Sequence, residues 1–169
     1  MEVEAKFIYK EGVEEKLREI AEPVIEKFEH DTYFNHPCKD FEKTDEAVRI
    51  RRDVEGVAIT YKGPKVDLET KSREEVKVKV DSFENALELL RKLGFRPVME
   101  VRKFRKIYRL KGAIVCIDEV EGVGKFVEIE IESGSIRDKE TIFDVAKLLG
   151  YSREESITRS YLEMILQKK

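Results

Sequence analysis

The 169-residue chain reads as α+β, with about eight strands closing an antiparallel barrel and helices packed outside it. Three observations predict this. Successive segments alternate charged and apolar residues with the period of two that strands show. Tight turns join consecutive strands, and no strand–helix–strand rhythm calls for a parallel sheet. The charge on each strand is also confined to one face, which suits a sheet that curls on itself.

The elements follow in order. Glu2 to Tyr9 alternates Glu2, Glu4 and Lys6 against Val3, Ala5 and Phe7, and reads as a strand. Glu11 to Ala21 carries Val13, Leu17 and Ile20 at helical spacing, and Pro23 is expected to end it. Val24 to His36 reads as a long strand, followed by a loop at Pro37 to Asp40. Glu46–Asp53 and Val57–Gly63 form a hairpin about Glu55-Gly56. Arg73 to Val80 alternates as a further strand. Ser82 caps a helix whose Phe83, Ala86, Leu87, Leu90 and Leu93 share one face, and Gly94 stops it. Pro97–Leu110, Ala113–Val120 and Lys125–Glu132 read as three strands joined by glycine turns. Asp138 to Leu149 is helical, and a last helix from Ser160 to Gln167 opens on capping-box spacing between Ser160 and Glu163.

Length and composition suit one globular domain, residues 1–169. Met1 runs straight into Glu2-Val3-Glu4, without the basic and apolar segments of a signal peptide. No apolar run approaches the roughly 20 residues of a membrane helix. The expected location is the cytoplasm, without membrane partners. Cys38 and Cys116 have neither a CxxC mate nor metal-site spacing, and a zinc site with His30 and His36 fits no known pattern. Charged residues make up 41%, yet 33 basic against 36 acidic leaves a net charge of −3. That density resembles the surface ion-pair networks of thermophiles. It provides no general basic field for nucleic acid.

The sorting of sign carries the chemistry. Glu2, Glu4, Asp118, Glu128 and Glu130 occupy charged strand faces, as do Lys6, Arg49, Arg51, Lys62, Lys103 and Arg105. Turned inward together they would be costly unless paired or bound to something. A metal–triphosphate complex satisfies both sets, with carboxylates for Mg²⁺ or Mn²⁺ and cations for phosphate oxygens. Alternation alone fits a solvated, ion-paired outer face at least as well.

A resemblance bears on that choice. Glu2-Val3-Glu4-Ala5-Lys6 resembles the ExExK signature of the CYTH, or triphosphate tunnel, superfamily. Asp31 to Phe34, Thr44 to Arg51, Thr60 to Pro64 and Arg73-Glu74-Glu75 resemble family segments in order. So do Val101 to Arg105, Ile117-Asp118, Phe126 to Glu130 and Ser160 to Glu163. The likeness is nearest the class IV adenylyl cyclase branch, with thiamine triphosphatases more distant. It implies a closed tunnel in which Glu2, Glu4, Asp118, Glu128 and Glu130 hold the divalent metal. Lys6, Arg49, Arg51, Lys62, Arg73, Lys103 and Arg105 would hold phosphates, with Lys6 and Arg105 catalytic. The implied substrate is ATP, thiamine triphosphate or tripolyphosphate, and the chain a monomer or homodimer. These charges do not separate cyclisation to cyclic AMP from hydrolysis. Cyclisation is the expectation because Asp31 to Phe34 and Thr44 to Arg51 most resemble the cyclase branch, and the full carboxylate set argues against non-catalytic polyphosphate sensing. A cyclase would also need an adenosine pocket, for which Tyr33, Phe34 and Thr60 are the expected lining.

Overall fold

A computed structural model describes residues 1–132 and 134–168. Eight strands form one antiparallel sheet: β1 (Val3–Ile8), β2 (Glu22–Asn35), β3 (Ala47–Asp53), β4 (Gly56–Lys62), β5 (Glu75–Val80), β6 (Arg96–Leu110), β7 (Ala113–Val120) and β8 (Gly124–Ile131). Their order is β1-β8-β7-β6-β2-β3-β4-β5, with the two long strands β2 and β6 paired at the centre. The helices are α1 (Val13–Ile20), the short α2 (Phe41–Thr44), α3 (Phe83–Lys92), α4 (Lys139–Leu148) and α5 (Tyr161–Gln167).

The named strands do not close as one continuous ladder. Instead, residues 71–73, just before β5, strap the far edge of the sheet to β1. Glu2 and Arg73 exchange backbone hydrogen bonds of 2.9 and 3.0 Å, and the Lys71 amide donates to the Glu4 carbonyl at 2.8 Å. Further along, the Ile157 amide donates to the Lys6 carbonyl at 2.7 Å. These contacts occupy the open edge of β1, which would otherwise present unpaired backbone groups.

Because directly opposed residues share a face, register sorts the side chains. Val3, Ala5 and Phe7 oppose Ile131, Ile129 and Val127, and this apolar face packs under α1 and α4 with Leu17, Ile142 and Val145. A second apolar cluster, with Val48 and Ile50, lies under Ala86 and Leu90 of α3. The opposite face holds the charge: Glu4 opposes Glu130, Lys6 opposes Glu128, Lys103 opposes Glu29 and Arg105 opposes Asp118.

Three details differ from expectation. Pro23 lies within β2, at a register shift where its missing N–H is tolerated. α2 is an extra turn of helix between β2 and β3; the Asp40 side chain accepts from the Glu42 amide there. Finally, α5 does not pack outside. Its Tyr161 and Met164 rest on Val101, Val120 and Phe126. Those three oppose Asp31, Lys103 and Asp118 on the charged face. The helix therefore covers the inner surface, and its Ser160–Glu163 capping box is formed.

Candidate active site

The inward faces enclose a cavity of about 510 Å³, within the usual range for small-molecule sites. Glu2, Glu4, Glu128 and Glu130 line it, as do Arg49, Arg51, Lys62, Arg73, Lys103 and Arg105. Lys6 and Asp118 are not on its wall; both are fully buried behind it.

The carboxylates divide into two groups. Glu2, Glu4 and Glu130 each offer an oxygen within 4.8 Å of the others. Glu2 and Glu4 have cationic neighbours, Lys62 Nζ at 3.2 Å and Lys71 Nζ at 3.1 Å, whereas Glu130 has no ion pair among the described residues. Burial, and then the charge of Glu2, push the Glu130 carboxyl well above the usual carboxylate range. Three hard oxygen donors with too little positive charge beside them are the donor set a divalent cation fits. Asp118 and Glu128 are engaged differently. Arg105 makes a bidentate pair with Asp118 at 2.7 and 2.6 Å and also reaches Glu128 at 2.9 Å. Burial opposes ionisation of Glu128, but Lys6, a hydrogen bond from Glu4 and Arg105 outweigh it and hold its pKa well below normal.

The cations also divide. Arg51 grips Asp31 bidentately at 2.7 and 2.7 Å and lies 3.2 Å from Glu29. Arg49 has no ion pair among the described residues, and its buried Nε has no hydrogen-bond partner. The Arg73 guanidinium is spent on backbone, donating to the carbonyls of Gly63 at 2.6 Å and Asp45 at 3.1 Å. Lys6 Nζ donates to the Arg159 carbonyl at 3.0 Å and lies 4.0 Å above the Tyr161 ring. Burial and the neighbouring Lys71 bring its pKa down to about 7. Tyr161 completes this layer by donating to Asp118 at 2.7 Å. The Arg159 side chain turns outward to Gln167.

Sequence reasoning overlooked Glu29, Asp31 as an ion-pair partner, and Lys71. The signal for the first two was available, since Lys27, Glu29, Asp31 and Tyr33 alternate along one face of β2. Lys71 had no such signal, because it lies in the irregular segment that straps the barrel. Tyr33, Phe34 and Phe41 line the cavity near Asn35 and Val98, whereas Thr60 is buried and is not among the lining residues. Cys38 is exposed and Cys116 buried, and neither is bonded to the other.

A sequence model of the CYTH domain matches residues 1–161. The chain belongs to the CYTH family. Two curated relatives carry cyclase names. A Methanocaldococcus jannaschii protein provisionally named an adenylate cyclase is 39% identical over 169 residues, spanning 97% of each chain. Adenylate cyclase CyaB of Aeromonas hydrophila is 32% identical over 139 residues, 79% of this chain and 70% of the relative. Among solved structures, protein PH1819 of Pyrococcus horikoshii OT3 superposes with TM-score 0.89 at 40% identity, covering 100% of both chains. HpAC1 from Hippeastrum, described as revealing a dominant triphosphatase activity, has TM-score 0.74 at 21% identity, over 100% of this chain and 97% of its own. This CYTH chain thus shares the tunnel fold of its family. None of its described helices is long and apolar enough to cross a membrane.

Proposed function

We propose that this CYTH protein is a divalent-metal-dependent enzyme that acts on a triphosphate, and that it cyclises ATP to cyclic AMP and pyrophosphate. The observation that carries the reading is one cavity lined both by a carboxylate cluster and by a set of cations. Glu2, Glu4 and Glu130 bring carboxylate oxygens together, and Arg49, Arg51, Lys62, Lys103 and Arg105 line the same cavity. CYTH enzymes in general depend on divalent metals, and a Mg²⁺ or Mn²⁺ ion bound at that cluster would supply charge for the phosphate oxygens and acidify an attacking hydroxyl.

The chain's own residues divide the remaining work. Arg49 is the cation least committed to protein partners and would take phosphate oxygens directly, joined by Lys103 and Lys62, which lie 3.5 Å from Glu29 and 3.2 Å from Glu2. Arg51 and Arg105 are held in fixed orientation by Asp31 and Asp118, so their forks present remaining N–H groups without an entropic search. Asp118 then serves as a brace for Arg105, with Glu128 beside it. Lys6, packed on Tyr161 behind the cavity wall and opposite Glu128, would act through those neighbours and not on the substrate itself. Arg73, whose guanidinium donates to the Gly63 and Asp45 carbonyls, holds the strap in place at the edge of the cavity.

Cyclisation is favoured over hydrolysis because Tyr33, Phe34, Phe41 and Leu162 give the cavity an apolar portion. A nucleoside can use such a surface, whereas tripolyphosphate has no need of it. The second reading, hydrolysis, draws on the triphosphatase activity described for HpAC1. Purified protein with Mg²⁺ or Mn²⁺ should convert ATP to cyclic AMP and discriminate against tripolyphosphate. Rapid orthophosphate release from tripolyphosphate with no cyclic AMP from ATP would replace the cyclase reading with the triphosphatase one.

A further inference from the structure

Lys71 brings a cation in among the carboxylates from a segment that is neither strand nor helix. Thr70, Lys71, Ser72 and Arg73 are all buried there. The segment is fixed from several sides. The Lys71 amide donates to the Glu4 carbonyl at 2.8 Å, the Val66 amide donates to the Ser72 carbonyl at 2.8 Å, and the Thr70 and Ser72 hydroxyls lie 2.6 Å apart. The Lys71 side chain, 6% exposed, lines the main cavity with Nζ 3.1 Å from Glu4 Oε1. Burial disfavours its charged form, but Glu4 and then Glu128 outweigh that and keep it an ammonium.

This ammonium bears on how many metal ions the acids can hold. Glu2, Glu4 and Glu130 converge, with oxygens within 4.8 Å of one another. Asp118 and Glu128 both meet Arg105, at 2.6 and 2.9 Å. Sites that use two divalent ions set them about 3.5–4 Å apart. A second ion beside the cluster would therefore draw on Glu4 and on Glu128, its diagonal neighbour on the same face of the β1–β8 pair. Those two acids already face fixed cations, Lys71 and Arg105. Like charge is strongly repelled where water is excluded, so a second ion would have to displace an ammonium that the strap holds in place.

We propose that Lys71 stands in for a second metal ion and so limits the site to a single divalent cation, held by Glu2, Glu4 and Glu130. The inference rests on the metal-dependent reading above and adds its stoichiometry. Lys71 supplies only part of what a second ion would. Its N–H groups can hold a phosphate oxygen, but an ammonium has no coordination position at which to bind and acidify a hydroxyl.

Titration with Mn²⁺ alone, followed by electron paramagnetic resonance, tests this. The signal of the free ion counts what is unbound, and two bound ions about 4 Å apart couple and change the bound signal. The unaltered protein should saturate at a single, uncoupled Mn²⁺ per chain. Lys71→Met, which keeps the apolar stem and removes the charge, should take up a second ion and show the coupled signal. Lys71→Arg, which keeps the charge, should remain at one. Saturating Mn²⁺ should also raise the melting temperature of Lys71→Met about twice as far as that of the unaltered protein, since two ions then bind the folded chain. Lys71→Gln serves if Lys71→Met does not fold. Two ions per chain in the unaltered protein, or in Lys71→Arg, overturn the proposal. So does a single ion in a folded variant that lacks the charge. If the unaltered protein binds no Mn²⁺ even with tripolyphosphate present, the metal-dependent reading itself fails and takes this stoichiometry with it.

Discussion

Arg49 and Arg51 are two residues apart on β3 and line the same cavity, yet their surroundings predict different behaviour. Arg51 neutralises Asp31 and Glu29, so Arg51→Ala leaves two buried acids short of a partner. Breaking a buried pair in this way typically costs about 3–5 kcal/mol, and the loss should appear in urea unfolding of the ligand-free protein. Arg49 holds no carboxylate among the described residues. Arg49→Ala should leave the unfolding midpoint nearly unchanged and weaken triphosphate binding by roughly 1.5–3 kcal/mol, the range for a hydrogen bond to a charged group. Equal unfolding midpoints for the two variants would contradict this division. Glu130→Gln should behave in the opposite sense. Removing one carboxylate from the Glu2/Glu4/Glu130 cluster should abolish measurable Mg²⁺ binding by titration and lower turnover about a hundredfold or more. Triphosphate should still bind it in the absence of metal.

At the scale of elements, the strap before β5 is pinned from its own loop. Asp67 accepts hydrogen bonds from the Thr70 amide and hydroxyl, both at 2.8 Å, and from Lys139 of α4 at 3.1 Å. Burial opposes its ionisation, but these donors outweigh it and bring its pKa down to about 2. A folded-state pKa below the unfolded value of roughly 3.9 means the stabilisation is complete above that value. It is then lost as pH falls toward 2. Asp67→Asn should therefore be less stable than the unaltered protein at pH 5, and the difference should shrink steadily between pH 4 and pH 2. Thermal melts across that range read it out; a difference that stays constant would mean Asp67 makes no pH-dependent contribution. Loss of this anchor should also loosen Lys71, whose backbone and side chain both meet Glu4.

For the whole molecule, the inner charges are stored at a cost that ligand would relieve. Glu4 and Glu130 both have carboxyls raised above the normal range, each chiefly by burial and then by a neighbouring acid. Mg²⁺ together with tripolyphosphate should therefore raise the unfolding free energy by about 2.7 kcal/mol at a hundred times the dissociation constant. Either one alone should give less than half of the combined shift in melting temperature, because each satisfies only one sign of charge in the cavity. A combined shift no larger than the sum of the separate ones would mean the carboxylates and the cations do not share a ligand.

Much of this organisation was legible in the chain itself. Period-two alternation places Val3, Ala5 and Phe7 against Glu2, Glu4 and Lys6 with no tertiary information, because successive side chains on a strand point to opposite faces. Glycine turns set the strand boundaries, so β7 matches its expected span of Ala113–Val120. The ordered likeness to the CYTH family added what alternation could not, namely that the charged face turns inward. What remained hidden depends on residues distant in sequence. Lys71 meets Glu4 only because an irregular segment replaces a ladder at the closing seam. α5 packs on the inner face because Tyr161 finds Asp118, a partner 43 residues away. Asp118, expected among the metal ligands, pairs with Arg105, since the β6–β7 register sets the two directly opposite one another. Local periodicity determined which residues share a face. Only the closure of the sheet decided which of those charges meet each other and which remain free for a ligand, because pairing depends on distances that no spacing along the chain contains.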